Sequence, residues 1–154
     1  MKKVIFAASS GGHLTEILKL KELFPEYEYI LATEETDITR DLKDKYNIKY
    51  IKYGPNKNKV KYAWTILTNI ISTVGIVAKF KPDTIVSTGA QIGGFFCYVG
   101  KFFGAKIIYI ETLAKTENLS GTGENVYKIA DKFYVQWENV AEKYEKSEYI
   151  GRLI

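Results

Sequence analysis

The spacing of apolar and polar positions changes repeatedly along the chain, and the changes predict its architecture. Residues 3–8 and 106–111 are largely apolar runs, as expected of strands covered on both faces in a parallel sheet, and 27–33, 48–53, 84–88 and 132–136 read as four further strands. Between strands the period lengthens. Leu14, Ile17, Leu18 and Leu20 recur at helical spacing and predict a helix over 14–24 that Pro25 stops. Residues 34–46 read as a polar surface helix, Gly54 and Pro55 as a turn, 95–103 and 138–145 as helices, and 125–130 as a short one. Strand and helix alternate throughout, which predicts an α/β fold: one Rossmann-like domain over 1–154, its parallel sheet carrying helices on both faces.

The helix predicted over 60–80 breaks this pattern. Residues 63–78 carry no charge, yet Lys57, Lys59 and Lys61 precede them and Lys79 and Lys81 follow. A membrane span needs roughly 20 predominantly apolar residues, and this run is shorter. It also has a polar stripe, Thr65, Thr68, Asn69 and Ser72, opposite Trp64, Leu67, Ile71 and Val74, which argues for a helix lying on a surface. Two readings stand: a core helix, or an interfacial helix whose flanking lysines meet anionic headgroups while Trp64 sits in the boundary.

Composition adds limits rather than identity. The 46% hydrophobic and 26% charged content is that of a folded domain, and the net charge of +4 is concentrated between residues 40 and 61, where eight basic residues face two acidic ones. Those basic residues are interleaved with tyrosines but match no nucleic-acid-binding motif, so no nucleic-acid partner is expected. Cys97 is the only cysteine, which excludes a disulfide framework and a thiol metal cluster and fits a cytosolic compartment, with no metal expected. The opening MKKVIF has too short an apolar run for a secretory signal.

Candidate chemistry lies at the strand ends. In an open parallel sheet, ligands bind beyond the carboxyl ends of strands near a topological switch point. There the sequence places a turn at Ser9, Ser10, Gly11, Gly12 and His13, a second at Thr88, Gly89 and Ala90 that continues QIGG, and Glu111 with Thr112 before the polar loop 112–123. Glycines and helix N-termini suit an anion such as a diphosphate, but they equally suit a tight turn. Neither turn matches the dinucleotide or Walker pattern. His13, the only histidine, stands where a helix starts, a place that disfavours added positive charge and leaves an imidazole lone pair for a general base. A capping or packing histidine is the other reading. Glu111 could orient a sugar hydroxyl, act as a base, or cap neighbouring backbone.

Four blocks, ASSGGHLTEILKL, STGAQIG, IIYIET and ADKFYVQW followed by YIG, resemble PssD-type capsular and exopolysaccharide biosynthesis proteins. They are also similar to the eukaryotic membrane-anchor subunit of the dolichol-linked UDP-N-acetylglucosamine transferase. The resemblance spans nearly the whole chain. It implies the N-terminal, acceptor half of a GT-B glycosyltransferase divided between two chains, a companion chain carrying most of the UDP-sugar site, so that no cofactor is expected here. The implied reaction transfers a sugar to a polyprenyl-diphosphate-linked saccharide at the cytoplasmic face of the membrane. By position His13 is the implied base, with Ser9 to His13, Thr88, Gly89, Glu111 and Thr112 lining the cleft, as the comparable turn does in the single-chain transferase MurG. Lys115 stands near where many relatives carry arginine, and it lacks arginine's bidentate geometry. Membrane contact falls to Lys57, Lys59, Lys61, Trp64, Leu67 and Ile71, and companion contact to the apolar tail with Tyr149, Ile150, Leu153 and Ile154. The other reading, a free-standing nucleotide- or nucleotide-sugar-binding protein, stays open on the residues alone.

Overall fold

The computed structural model describes residues 1–54 and 57–153; Pro55 and Ile154, named above, lie outside the described residues. Seven strands form one parallel sheet: β1 (Lys3–Ala8), β2 (Glu28–Glu35), β3 (Ile48–Lys52), β4 (Thr84–Gly89), β5 (Lys106–Ile110), β6 (Lys132–Val135) and β7 (Ser147–Tyr149). Their order is β3-β2-β1-β4-β5-β6-β7. The chain runs outward one way from β1 to β3, then returns to β4 beside β1 and runs outward the other way. The β1–β4 boundary is therefore the topological switch point.

Alternate side chains of each inner strand enter opposite cores. Ile5 and Ala7 of β1 join Ile85, Ile107, Phe96 and Val126 on the face covered by α2 (Lys59–Phe80), α3 (Gln91–Phe102), α4 (Gly121–Tyr127) and α5 (Glu138–Lys143). Val4, Phe6 and Ala8 join Leu14, Ile17 and Phe24 on the other face, under α1 (Gly12–Leu18). With both faces covered, β1 is buried from Val4 onward, which is why its sequence is continuously apolar.

Several expected boundaries are corrected. The helix expected over 14–24 ends at Leu18, and a 3-10 helix, Lys21–Glu26, contains Pro25 rather than stopping before it. The tighter winding carries Phe24 under the sheet, 4.3 Å from the Phe6 ring and 4.9 Å from that of Tyr29. The helix expected over 34–46 is absent: β2 continues to Glu35, and only Arg40–Asp44 is helical, as a 3-10 turn. Side-chain bonds to backbone compete with the helix there. The Thr39 hydroxyl donates to the Glu34 carbonyl at 2.7 Å, and the Thr36 N–H donates to Thr39 Oγ1 at 2.9 Å. The helix α3 begins four residues earlier than expected, at Gln91, and α4 begins at Gly121. The tail is partly a strand, β7, paired in parallel with β6.

The helix α2 is amphipathic in the reverse sense of a core helix. Thr65, Asn69, Thr73 and Val77 are buried, whereas Trp64 and Ile71 are 65% and 61% exposed and Val60, Leu67, Ile70 and Val74 are exposed with them. The inward polar groups are satisfied locally. Thr65 and Thr73 donate to carbonyls four residues back, at 3.0 and 2.8 Å, and Asn69 Nδ2 donates to the Lys52 carbonyl at 2.8 Å. The core-helix reading is thereby overturned: the apolar face is the outer one. At 22 residues α2 is long and apolar enough to cross a membrane, but its inner side is packed along the domain.

Candidate functional site at the sheet switch point

The carboxyl ends of β1 and β4 bring the two glycine turns together. Ser9 N–H donates to the Gly89 carbonyl at 2.8 Å, and the Ile92 N–H donates to Ser9 Oγ at 3.1 Å, so Ser9 ties the first turn to the start of α3. The two turns are bound a second time through His13 and Thr88. The Thr88 hydroxyl donates to the His13 carbonyl at 2.6 Å, and His13 Nδ1 lies 2.7 Å from the Thr88 carbonyl. A carbonyl only accepts, so Nδ1 carries the proton and the lone pair of the neutral ring is on Nε2. Nε2 has no partner among the described residues and is open to solvent, on a side chain 24% exposed.

Gly89 is required beneath that imidazole. Its φ is +96°, and a Cβ there would lie 2.8 Å from Tyr109 Oη and 3.2 Å from His13 Nδ1. Burial, with the charge of Glu111 adding to it, pushes the Tyr109 phenol far up, so it stays neutral under the ring. The QIGG glycines do different work from a phosphate cradle. They lie inside α3, where a Cβ on Gly93 would run into Ser87 Oγ and one on Gly94 would press on Thr122 at 3.0 Å, so Gly93 allows close packing of α3 on β4 and Gly94 on α4.

On the first turn an internal carboxylate occupies one shoulder: Ser10 N–H donates to buried Glu34 Oε2 at 2.5 Å. The amides of Gly11, Gly12 and His13 have no acceptor among the described residues, and both glycines are exposed. Beside this turn runs a groove of about 770 Å³ lined by Ser10, Gly11, Thr15, Asp37, Arg40 and Tyr53. Tyr53 also borders a second groove of about 800 Å³, lined by Lys52, Lys61, Trp64 and Leu67 at the cleft end of α2.

The expected sugar-orienting or base role of Glu111 is corrected by its placement. It is 1% exposed; Oε1 accepts from Thr112 N–H at 2.9 Å, and Oε2 accepts from Ser120 N–H and Oγ at 2.8 and 3.1 Å. Its carboxylate closes the loop from 112 to 120 and steadies the start of α4, whose first-turn Gly123 N–H donates to Ser120 Oγ. Thr112 is half-buried with its hydroxyl on Glu16, Ala90 leads into α3, and Lys115 is exposed on the loop.

Two buried residues of the candidate site are not among those expected from the sequence. Glu16 sits between Leu14 and Ile17 on the inward side of α1 and is 2% exposed. Its Oε1 accepts from Leu113 N–H at 2.7 Å and from the Thr112 hydroxyl and Gln136 Nε2 at 3.2 Å. A glutamate at apolar helical positions was the available signal. Gln136 left none, because its role rests on contacts far apart in sequence. Its Nε2 also donates to the Glu111 carbonyl at 3.0 Å, while its Oε1 accepts from Leu153 N–H at 2.8 Å. One buried amide thus joins the cleft wall to the C-terminal segment. Leu153 is half-buried against the α1-side core, whereas Tyr149 and Ile150 are exposed at the β7 edge.

The chain is similar to known proteins along nearly its whole length. The chain is 31% identical to the UDP-N-acetylglucosamine transferase subunit ALG14 of Yarrowia lipolytica, over 99% of this chain and 81% of that protein. It is 29% identical to the human protein of the same name, over 98% of this chain and 82% of that one. Among solved structures, MurG of Acinetobacter baumannii superposes with a TM-score of 0.76 at 21% identity, covering 91% of this chain and 43% of that one. A UDP-N-acetylglucosamine 2-epimerase from Rickettsia bellii gives 0.73 at 14% identity, over 99% of this chain and 45% of that one. The chain thus has the fold of one half of these larger enzymes. The family described as oligosaccharide biosynthesis protein Alg14 like matches residues 4–153, and the chain belongs to it.

Proposed function

We propose that this chain is the acceptor-binding, membrane-associating subunit of a two-chain GT-B glycosyltransferase. With a companion chain that binds most of the UDP-sugar, it transfers the sugar to a polyprenyl-diphosphate-linked saccharide in capsular or exopolysaccharide synthesis. The observation that carries the reading is His13. Its tautomer is fixed by the Thr88 carbonyl, and its lone pair faces solvent at the switch point, where this fold class binds ligands. The exposed Gly11 and Gly12 amides offer donors to the acceptor's phosphates, with Ser9, Ser10, Thr88, Gly89, Ala90 and Thr112 forming the wall around them.

The outer face of α2 supports attachment to the inner surface of the cell membrane. Trp64, Leu67 and Ile71 would enter the interface, with Lys57, Lys59 and Lys61 against anionic headgroups. Tyr149 and Ile150, on the open edge of the sheet, offer the companion its contact, and Leu153 anchors the segment that carries them.

The test is His13→Ala in the complex with the companion. Loss of a positioned general base lowers kcat by about 10²–10⁴-fold. Full transfer by a His13→Ala complex would remove this residue, and the reading built on it, from the chemistry.

A further inference from the structure

The two oxygens of Glu16 live in different surroundings. Oε1 collects all three hydrogen bonds, from Leu113, Thr112 and Gln136, and every partner is a donor, the environment of an ionised carboxylate. Oε2 is buried and has no hydrogen-bond partner among the described residues, although orphaned buried oxygens are uncommon and costly. His13 Nδ1 stands 3.9 Å from it. That is too long for a hydrogen bond, and Nδ1 is already committed to Thr88; at this separation, away from water, charge acts strongly.

The other groups around the ring do not compete. From β4 the Thr88 carbonyl accepts the hydrogen bond from Nδ1–H, and from β5 the Tyr109 hydroxyl is neutral. Glu111 spends both oxygens on residues 112 and 120, and Glu34 is bonded to Ser10. Among the described residues, Glu16 is the only carboxylate within 4.0 Å of the imidazole.

We propose that Glu16 is a positioning residue for the reaction inferred above: held by Leu113, Thr112 and Gln136, its free oxygen stabilises the charge that His13 gains as a base. The proposal rests on that functional reading. As the acceptor hydroxyl oxygen bonds to the sugar's anomeric carbon, the bond from that carbon to UDP breaks and UDP leaves with the electron pair. The hydroxyl proton passes to Nε2, the other proton stays on Nδ1 in its hydrogen bond to the Thr88 carbonyl, and water later takes the proton from Nε2. The imidazolium exists only during turnover, so a carboxylate facing it favours the transition state over the resting enzyme.

His13 is the chain's only histidine, so its ring proton resonances identify it directly. In an NMR titration, Glu16→Gln, which keeps an oxygen for Leu113 but removes the charge, moves His13 protonation to lower pH, and Glu16→Asp moves it back toward wild type. In the complex with the companion, Glu16→Gln lowers kcat about 10- to 100-fold, a share of what a general base supplies, with little change in acceptor KM. The acid limb of its pH profile moves to lower pH with the titration.

An unchanged His13 titration in folded Glu16→Gln overturns the proposal. Should that variant not fold, wild-type protein decides: the Glu16 carboxyl carbon resonance shifts at the pH where His13 protonates, and a resonance blind to that step overturns the pair. Uncoupled titrations alongside an inactive His13→Ala complex reject only this proposal. Coupled titrations with a fully active His13→Ala complex overturn the functional reading and, with it, the role given to Glu16.

Discussion

At the scale of single residues, position in the fold decides between side chains that look alike in sequence. Glu111 and Glu16 are both carboxylates near the cleft, and only Glu111 stands at a strand end where chemistry is expected. Yet Glu111 turns into the loop it closes, while Glu16, within a helix, lies beside the histidine. A strand end fixes where a residue is, not which way its side chain turns, so the direction of Glu111 was not legible. The pairing of His13 with Thr88 could not be read either, since 75 residues separate them. What could be read was the turn itself, because strand, glycines and helix start are local signals. Cys97 makes a simple check of the packing. Fully buried beside Ser87, its thiol is pushed up to about 12 by desolvation, so it is a thiol at any physiological pH. Iodoacetamide at pH 8 is expected to leave it unmodified in native protein and to label it once the chain is unfolded in urea; rapid native labelling would contradict the packing of α3.

At the scale of elements, α2 shows how far periodicity reaches. The stripe of Thr65 and Asn69 opposite Trp64, Leu67 and Ile71 was visible in sequence, but which side faces the protein was not. The fold answers through Asn69, whose amide reaches the Lys52 carbonyl at the end of β3 and turns the polar side inward. The outward apolar stripe with lysines at its start predicts binding to anionic vesicles, with each lysine near the surface contributing about 1 kcal/mol. Reversing Lys57, Lys59 and Lys61 to glutamate should weaken flotation with such vesicles by about 100-fold or more. Intact binding would mean that α2 does not rest on a membrane.

The failed expectation over 34–46 has a comparable origin. Threonine hydroxyls there bond to nearby backbone and end the strand in a tight turn, an outcome that polar composition does not distinguish from a surface helix.

Across the sheet, Asp131 joins α3 to β5: its carboxylate accepts from Ile107 N–H at 2.8 Å and from Lys101 Nζ at 2.9 Å. The Ile107 bond first, then Lys101, holds it below the ordinary carboxylate value of 3.8. The stability this adds is present above that value and is lost as pH falls through the lower folded value. Asp131→Asn should therefore be less stable at pH 7 by about 1 kcal/mol, a figure limited by solvent screening. In urea unfolding the gap from wild type should narrow as pH falls below 3.8. A gap of the same size at pH 3 would show that the charge contributes nothing.

At the scale of the whole molecule, the strand order puts both glycine turns, and His13 with them, at one switch point. The superposition on MurG covers 91% of this chain and 43% of the other, so this chain has the fold of one half of that enzyme. The doubly wound architecture was legible because alternating strands and helices admit few topologies. The seventh strand was not: three residues, Ser147–Tyr149, are too short to carry a period, and only pairing with β6 makes them a strand. Leu153 is bonded to Gln136, and Gln136 to Glu16, so the C-terminal segment that we propose meets a companion is fastened to the candidate site.

The most direct measurement is sugar transfer from a panel of UDP-sugars to a polyprenyl-diphosphate-linked saccharide, assayed with this chain alone, with the companion alone and with both. No transfer is expected from this chain alone and transfer is expected when the two are combined; robust transfer by this chain alone would contradict the two-chain reading.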